Sequence, residues 1–91
     1  MYKKETAAVV VTYNRKEKLI NCIESLLHQV PEKPEILIID NASTDGTYEA
    51  IKKYYNCGVI KYFNTGKNLG GAGGFAYGIK KAYKMGFKYI W

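Results

Sequence analysis

Three short stretches of this sequence combine polar side chains and glycines in a way that suits the binding of a phosphorylated ligand. The first contains Arg15, the only arginine of the chain, the second begins with Asp40, and the third is rich in glycine. A guanidinium group can hold a diphosphate through two parallel hydrogen bonds. The stretches are residues 12–15, 40–45 and 64–74. Their chemistry depends on which structural elements bring them together.

Asp40 and Arg15 each allow two interpretations. Asp40 ends the apolar run Ile36 to Ile39, where a carboxylate is desolvated unless hydrogen-bond donors satisfy it. The donors could belong to the base or ribose of a nucleotide, or to the backbone of the following turn, and both could act together. Arg15 lies at a predicted helix N-terminus, where it could bind a diphosphate or be an exposed residue of the first turn.

Within the third stretch, the segment Asn68-Leu69-Gly70-Gly71-Ala72-Gly73-Gly74 has four glycines in five positions. We predict that it completes a glycine-rich loop over residues 65–74, because glycines let a backbone approach a ligand and expose its N–H groups. A tight connection between a strand and a helix is the alternative. Asn68 could bind a ribose or sugar hydroxyl, or cap the following helix. Tyr13 could cover a flat base or pack in the core.

The hydrophobic pattern predicts four strands that alternate with three helices. Short β-branched and apolar runs predict the strands, and apolar residues spaced three and four apart predict the helices. This order is typical of an α/β fold, a parallel sheet covered by helices on both faces. Ligands of such sheets bind at the carboxyl ends of the strands, where the three stretches lie. The predicted strands are residues 7–12, 35–40, 59–64 and 87–91.

Capping residues indicate where the helices begin. Asn14 and Glu17 form an N-x-x-E pattern, which predicts a capping box at the first helix, and Pro31 is expected to end that helix. Ser43 or Asp45 is expected to accept the first free N–H groups of the second helix. We assign Asp45 to this role in preference to ligand binding.

Composition and charge narrow the class of protein. The chain has 91 residues, of which 47% are hydrophobic, and a net charge of +6. Its length allows one domain or less. The lysines are scattered in ones and twos, which favours solvated helix faces over a nucleic-acid-binding patch, although a diffuse field could attract a nucleotide diphosphate. The sequence has no signal peptide and no apolar run long enough to span a membrane, so we expect a cytoplasmic location.

Three motifs together resemble the family 2 glycosyltransferases over essentially the whole chain. They are Val9-Val10-Val11-Thr12-Tyr13-Asn14-Arg15, Ile38-Ile39-Asp40-Asn41-Ala42-Ser43-Thr44-Asp45-Gly46-Thr47 and Asn68-Leu69-Gly70-Gly71-Ala72-Gly73-Gly74-Phe75. The third is similar to the bacterial galactofuranosyl- and rhamnosyltransferase branch. The family has the three-layer, Rossmann-like GT-A fold. The resemblance therefore implies that residues 1–91 are the N-terminal, nucleotide-sugar-binding part of a glycosyltransferase domain, with a mostly parallel sheet truncated after the fourth strand.

The resemblance also implies a role for each matching position. Thr12 and Tyr13 would line the nucleotide pocket, and Arg15 would approach the diphosphate. Asp40 would bind the base, uracil in particular, and Asn68 would contact the nucleotide-sugar beside the glycines. The implied ligand-binding residues are Thr12, Tyr13, Arg15, Asp40, Asn68, Gly70 and Gly71.

The implied function is transfer of a sugar from a UDP- or dTDP-sugar to an acceptor hydroxyl in bacterial cell-surface glycan synthesis. Family members hold Mg²⁺ or Mn²⁺ with an Asp-x-Asp motif and use a later Asp or Glu as the base. Neither occurs before Trp91, so we expect catalytic and metal-binding residues beyond it and no transfer by this stretch alone. The acceptor would be a glycan or a lipid-linked molecule. The full-length protein could associate with a membrane, and the last strand could pair with a second copy.

Two other functions remain open. The segment Gly71-Ala72-Gly73-Gly74-Phe75-Ala76 matches the G-x-G-x-x-A pattern of dinucleotide-binding Rossmann domains, but it follows the third predicted strand and not the first. A flavodoxin-like interaction module without enzymatic activity would have the same order of elements and would bind no nucleotide.

Overall fold

A computed structural model describes residues 5–28 and 34–90. The elements are β1 (Thr6–Thr12), α1 (Lys16–Leu27), β2 (Glu35–Asp40), α2 (Thr47–Asn56), β3 (Ile60–Asn64), α3 (Gly70–Lys84) and β4 (Tyr89–Ile90). The predicted alternation of strands and helices is confirmed. The first helix was predicted to end at Pro31 and the last strand at Trp91, and both positions lie outside the described residues. No helix among the described residues is long and apolar enough to cross a membrane.

The four strands form one parallel sheet in the order β3-β2-β1-β4. Thr12 at the end of β1 pairs with Asp40 at the end of β2, and Asp40 pairs with Asn64 at the end of β3. The three loops that follow these strands therefore leave from one edge of the sheet. The direction of winding reverses between β1 and β4, the kind of position at which open α/β sheets bind ligands.

Helices cover both faces of the sheet, so the predicted three-layer α/β fold is confirmed. Successive side chains of a strand point to opposite faces. Ile36 and Ile38 accordingly pack with α1 and α2, whereas Leu37 and Ile39 pack with α3. The first cluster comprises Leu19, Ile23, Ile36, Ile38, Ile51, Tyr54 and Ile60. The second comprises Ala7, Val9, Leu37, Ile39 and Ala82.

The second half of the predicted glycine-rich loop belongs to a helix. We expected a loop over residues 65–74, but α3 begins at Gly70 and continues to Lys84. The glycines of the motif therefore form the first turns of α3. The prediction of a loop was wrong because Gly74 allows close contact between a helix and the sheet, a use of glycine that composition alone does not distinguish from ligand approach.

Two glycines of α3, Gly74 in the motif and Gly78 beyond it, lie where this helix contacts the sheet most closely. A Cβ atom built on Gly78 would collide with Cγ1 of Val9 and lie 2.9 Å from Cγ1 of Ile39. A Cβ atom on Gly74 would lie 2.7 Å from Cγ1 of Val11. Both distances are too short for a real Cβ atom, so the position of α3 requires glycine at these two sites. This contact holds the start of α3 against the carboxyl edge.

Replacing Gly78 with alanine should destabilise the fold by about 1–3 kcal/mol, the usual cost of overpacking a core. The gain of about 1 kcal/mol in helix propensity should not offset this cost. Urea unfolding monitored by circular dichroism measures the difference. Gly71→Ala is the matched control, because a Cβ atom there has no neighbour within 4 Å, and it should be at least as stable as the parent. Equal stability of the two variants would contradict the close-contact explanation.

Candidate functional site

The loops after β1 and β2 are joined by hydrogen bonds at the carboxyl edge of the sheet. The backbone N–H of Asn14 donates to Oγ of Ser43 over 2.9 Å, and the N–H of Thr44 donates to Oδ1 of Asn14 over 2.7 Å. The N–H of Asn41 donates to the carbonyl of Thr12 over 2.9 Å. The two polar stretches identified in the sequence are therefore one hydrogen-bonded unit.

The capping box predicted from Asn14 and Glu17 does not form. The residue that precedes α1 is Arg15, which makes no side-chain capping bond. Asn14 has a positive φ of 50°, a conformation that asparagine tolerates better than most residues, and its side chain binds Thr44 of the neighbouring loop. The N-x-x-E pattern was misleading because the side chain had a partner distant in sequence.

Asp45 caps the starts of two helices. Its Oδ2 accepts a hydrogen bond from the N–H of Lys16 at the start of α1, over 3.2 Å. Its Oδ1 accepts from both the N–H and the hydroxyl of Thr47 at the start of α2. The pKa of Asp45 is lowered, chiefly because the Thr47 hydroxyl donates to the carboxylate. The predicted capping role of Asp45 is confirmed, whereas Ser43 binds Asn14 and does not cap α2.

Asp40 is buried, with 1% of its surface exposed, and both of its carboxylate oxygens have donors. The N–H of Ser43 donates to Oδ1 over 2.9 Å, and the hydroxyl of Tyr62 donates to Oδ2 over 2.5 Å. The interpretation of Asp40 as an anchor of the following turn is confirmed. Its binding to a base stays a prediction.

Tyr62 is a residue of this site that the sequence did not reveal. It lies within β3, paired with Ile38, so it shares a face of the sheet with Asp40 two positions further along β2. Its pKa is raised, first because burial penalises the phenolate and second because its hydroxyl donates to Asp40. The register between β2 and β3 would have identified Tyr62, but that register is known only from the folded sheet.

Asn41 is a second residue that the sequence did not single out. Its side chain is 1% exposed and lies between the end of β2 and the start of α3. Nδ2 donates to the carbonyl of Gly70 over 3.0 Å, and Oδ1 lies 3.1 Å from the hydroxyl oxygen of Thr65. A Cβ atom on Gly74 would come within 2.9 Å of Nδ2. Asn41 therefore connects the loop after β3 and the first turns of α3 to the sheet.

The predicted ligand-binding residues fall into two groups. Thr12 and Asp40 are buried at the ends of their strands. The exposed ones are Tyr13, Arg15, Asn68, Gly70 and Gly71. Tyr13 is 43% exposed, which does not fit the alternative of core packing. Oδ1 of Asn68 accepts from the N–H of Gly70 over 2.9 Å, so the alternative role of Asn68 as a cap for α3 is confirmed.

A surface depression of about 330 Å³ lies at the start of α1. It is lined by Asn14, Arg15, Lys16, Glu17, Lys18 and Asp45. Three cations and two carboxylates line it, and one of those carboxylates, Asp45, already accepts hydrogen bonds from helix N–H groups. A helix N-terminus flanked by cations favours anionic groups.

The described residues do not form a site for a divalent cation. They contain no group of three or more His, Cys, Asp or Glu side chains placed to hold one. The oxygens of Asp40 and Asp45 accept hydrogen bonds from protein donors and are not arranged as ligands. We assign no metal ligand among these residues.

Comparison with solved structures defines the fold class. The chain is similar to the mannosyltransferase PcManGT of Pyrobaculum calidifontis, solved in complex with GDP-Man and Mn²⁺. The TM-score is 0.62 at 22% sequence identity, over 92% of this chain and 25% of that one. At this identity the likeness concerns the fold, which is that of the GT-A glycosyltransferases. In sequence, residues 7–91 match the family model described as Glycosyl transferase family 2, and the chain belongs to that family.

Characterised and uncharacterised relatives agree with this assignment. The chain is 32% identical over 84 residues to the galactofuranosyltransferase GlfT1 of Mycolicibacterium smegmatis, covering 92% of the chain and 27% of that protein. It is 40% identical over 76 residues to an uncharacterized glycosyltransferase of Rickettsia conorii, covering 84% of the chain and 12% of that protein. The chain thus spans a minor part of the length of each relative.

The family assignment argues against the two alternative functions. The G-x-G-x-x-A segment lies inside α3, where Gly74 packs against Val11 and Asn41, so its glycines already have a structural explanation. A dinucleotide-binding fingerprint would lie in the first β-α turn. A flavodoxin-like module has no reason to match the glycosyltransferase model over nearly its whole length.

Replacing Asp45 with asparagine should lower the free energy of unfolding at neutral pH, and the deficit should shrink in acid. The folded-state pKa of Asp45 lies below its ordinary value of 3.8. The stabilisation from the carboxylate is therefore complete above the unfolded-state pKa and is lost as the pH falls through the folded-state pKa. Urea unfolding of the parent and the variant at about pH 7 and about pH 2.5 measures both deficits.

Glu49→Gln is the control for the Asp45 experiment. Glu49 is an exposed acid of the first turn of α2, like Asp45 near a helix start, and its side chain binds no other residue that the structure describes. Its replacement should have a smaller effect at neutral pH. If the deficit of Asp45→Asn were the same at both pH values, the ionised carboxylate would not be the capping group.

Proposed function

We propose that this chain binds the nucleotide-sugar donor of a glycosyltransferase, a UDP- or dTDP-sugar. The observation that carries the proposal is the joining of the three polar loops at the carboxyl edge of the sheet, with exposed Arg15 at the start of α1. Membership of family 2 supports it, as does the GT-A fold. Residues 1–91 are, in this proposal, the N-terminal donor-binding part of the glycosyltransferase domain.

In this proposal the diphosphate of the donor lies against the start of α1. Arg15 is exposed there, and Lys16 and Lys18 line the same depression. The partial positive charge of a helix N-terminus adds to these cations. Arg15 can bind two phosphate oxygens at once, which lysine cannot do with the same geometry. Asn68, Gly70 and Gly71 supply exposed polar and backbone groups for the sugar side of the donor.

In this proposal the base lies near Tyr13 and the end of β2. Tyr13 is exposed and can lie over a flat ring, and Thr12, next to it in the chain, is buried at the end of β1. Asp40 is the acceptor for an N–H group of the base. Uracil and thymine present such an N–H at ring position N3, whereas cytosine presents an acceptor there. A carboxylate at this place therefore favours UDP- and dTDP-sugars over CDP-sugars.

The reaction proposed for the full-length enzyme is displacement at the anomeric carbon of the donor sugar. The acceptor hydroxyl loses its proton to a base, its oxygen forms the new glycosidic bond, and the bond to the diphosphate breaks. Arg15 opposes the negative charge that gathers on the leaving diphosphate. We assign no described residue as the base. The Mn²⁺ of the mannosyltransferase complex supports use of Mg²⁺ or Mn²⁺ by the full-length enzyme, where the cation would supply further neutralisation of the diphosphate.

The biological setting is proposed from the relatives. We propose a role in bacterial cell-surface glycan synthesis, with a glycan or lipid-linked acceptor and a cytoplasmic location; the similarity to a bacterial galactofuranosyltransferase supports sugar transfer in a bacterium. We further propose that β4, an edge strand of the sheet, pairs with a second copy of the chain. Tyr89 in β4 is 61% exposed, whereas Phe87 and Ile90 pack partly against the core.

Titration with uridine diphosphate, followed by amide shifts in NMR spectra, tests the proposal. We expect weak binding, with a Kd on the order of 1 mM, because no cation assists. The amides of Thr12, Arg15 and Asn68 should shift. Arg15→Gln should weaken binding by about tenfold or more, since it removes a hydrogen-bonded charge worth about 1.5–3 kcal/mol.

Lys53→Gln is the matched control for Arg15→Gln. It makes the same change of charge in the last turn of α2, at the opposite end of the sheet from the depression. It should leave the affinity for uridine diphosphate unchanged. An equal loss in both variants would mean that net charge, and not the position of Arg15, attracts the ligand. An absence of shifts in the parent chain would contradict the proposed function itself.

A further inference from the structure

We infer that the hydroxyl of Tyr62 occupies the carboxylate oxygen of Asp40 that a bound base must use, so that Tyr62 has to move aside when the donor binds. This inference rests on the proposed function. It assigns to Tyr62 a role in selecting the donor, as a competitor of the base for one oxygen atom.

The carboxylate of Asp40 is almost inaccessible to a ligand while the residues around it keep their positions. The residue is 1% exposed, and its two oxygens accept hydrogen bonds from the N–H of Ser43 and the hydroxyl of Tyr62. The Ser43 bond holds the turn after β2 and is part of the fold. The Tyr62 bond comes from a side chain, which can rotate without a change in the backbone. The oxygen bound by Tyr62 is therefore the one that can become free.

Tyr62 is placed where such a rotation is feasible. It lies in β3, an edge strand of the sheet, and its side chain is only partly buried. Its ring packs edge-to-face on Tyr48, with 5.2 Å between ring centroids, and Tyr48 is itself 39% exposed. Tyr62 therefore contacts an exposed residue on this side, although it also packs partly against the first core cluster. Nδ2 of Asn64, at the end of the same strand, lies 3.3 Å from the Tyr62 hydroxyl.

Competition between Tyr62 and the base has a consequence for selectivity. A base that presents an N–H can replace the tyrosine hydroxyl and leave Asp40 with a donor. A base that presents an acceptor at the same place cannot, because displacing Tyr62 would leave a buried carboxylate oxygen without a partner, which is costly. Tyr62 thus lowers the affinity for every nucleotide, and lowers it most for those that cannot substitute for its hydroxyl.

The test compares the affinity of Tyr62→Phe and of the parent chain for uridine diphosphate. The variant keeps the ring and removes the competing hydroxyl. If the Tyr62 hydroxyl is bonded to Asp40 in most molecules of the free protein, only the small fraction without this bond can bind the ligand, and the apparent affinity is lowered in proportion. The variant lacks this bond and should therefore bind uridine diphosphate on the order of tenfold more tightly. Tyr55→Phe is the control, since Tyr55 belongs to the same group of tyrosines, is 43% exposed and contacts Tyr48. It should bind as the parent does.

Weaker or unchanged binding by Tyr62→Phe would overturn the inference, because Tyr62 would then support Asp40 or be irrelevant to the ligand. If neither chain binds uridine diphosphate, the proposed function fails and the inference fails with it. A thermal melt establishes that the variant is folded at the temperature of the titration. An increase in affinity confined to uridine diphosphate and absent for pyrophosphate supports competition at the base.

A second measurement uses the parent chain alone and does not depend on the variant's stability. Uridine diphosphate should shift the ring resonances of Tyr62, whereas pyrophosphate, which has no base, should shift the Arg15 amide and leave Tyr62 unchanged. Shifts at Thr12 and Arg15 with uridine diphosphate, without any change at the Tyr62 ring, would show that the donor binds while Tyr62 stays in place, and would overturn the inference.

Discussion

Two adjacent polar side chains at the end of β2 must be satisfied away from water, and the carboxyl edge of the sheet is organised around them. Asp40 and Asn41 are each 1% exposed and point to opposite faces of the sheet. An unpaired polar group in such a place costs about 1–3 kcal/mol, and more if it is charged. On one face the donors come from Ser43 and Tyr62, and on the other Asn41 bonds Gly70.

The need to pair these two buried groups also fixes the arrangement of the proposed binding site. The partners that satisfy Asp40 and Asn41 come from the turn after β2, from β3 and from the start of α3. These bonds fix the turn after β2 and the start of α3, next to Asn68, and the bonds of Asn14 and Asp45 join that turn to the loop that carries Tyr13 and Arg15. A ligand that binds at this edge meets groups whose positions are already set by the fold, which limits the entropy lost on binding.

The fold could be predicted from the sequence to a greater extent than the site. Periodicity located every described strand, because a buried run such as Ile36 to Ile39 has few other interpretations. The positions of Arg15 and Asp40 at strand ends followed directly from that order. Residues whose role depends on contacts across the sheet escaped prediction: Tyr62 needs the register of β3, and Asn41 needs the position of α3. Local sequence patterns gave a wrong prediction where a side chain binds a residue distant in sequence. The side chain of Asn14, for example, binds Thr44 and not the helix that follows it.

The hydrogen bonds that join the loops and helices recur at nearly one spacing along the chain. Asn14 and Ser43 are 29 residues apart, as are Lys16 and Asp45, and as are Asn41 and Gly70. That spacing is the length of one strand, one helix and their connections. Each such unit closes a loop of similar size, so the entropy of closure is similar at each step. The first three strands can pair through such units before the two ends of the described chain meet in the β1–β4 pair, and this long-range parallel pairing is the kind of contact that slows folding.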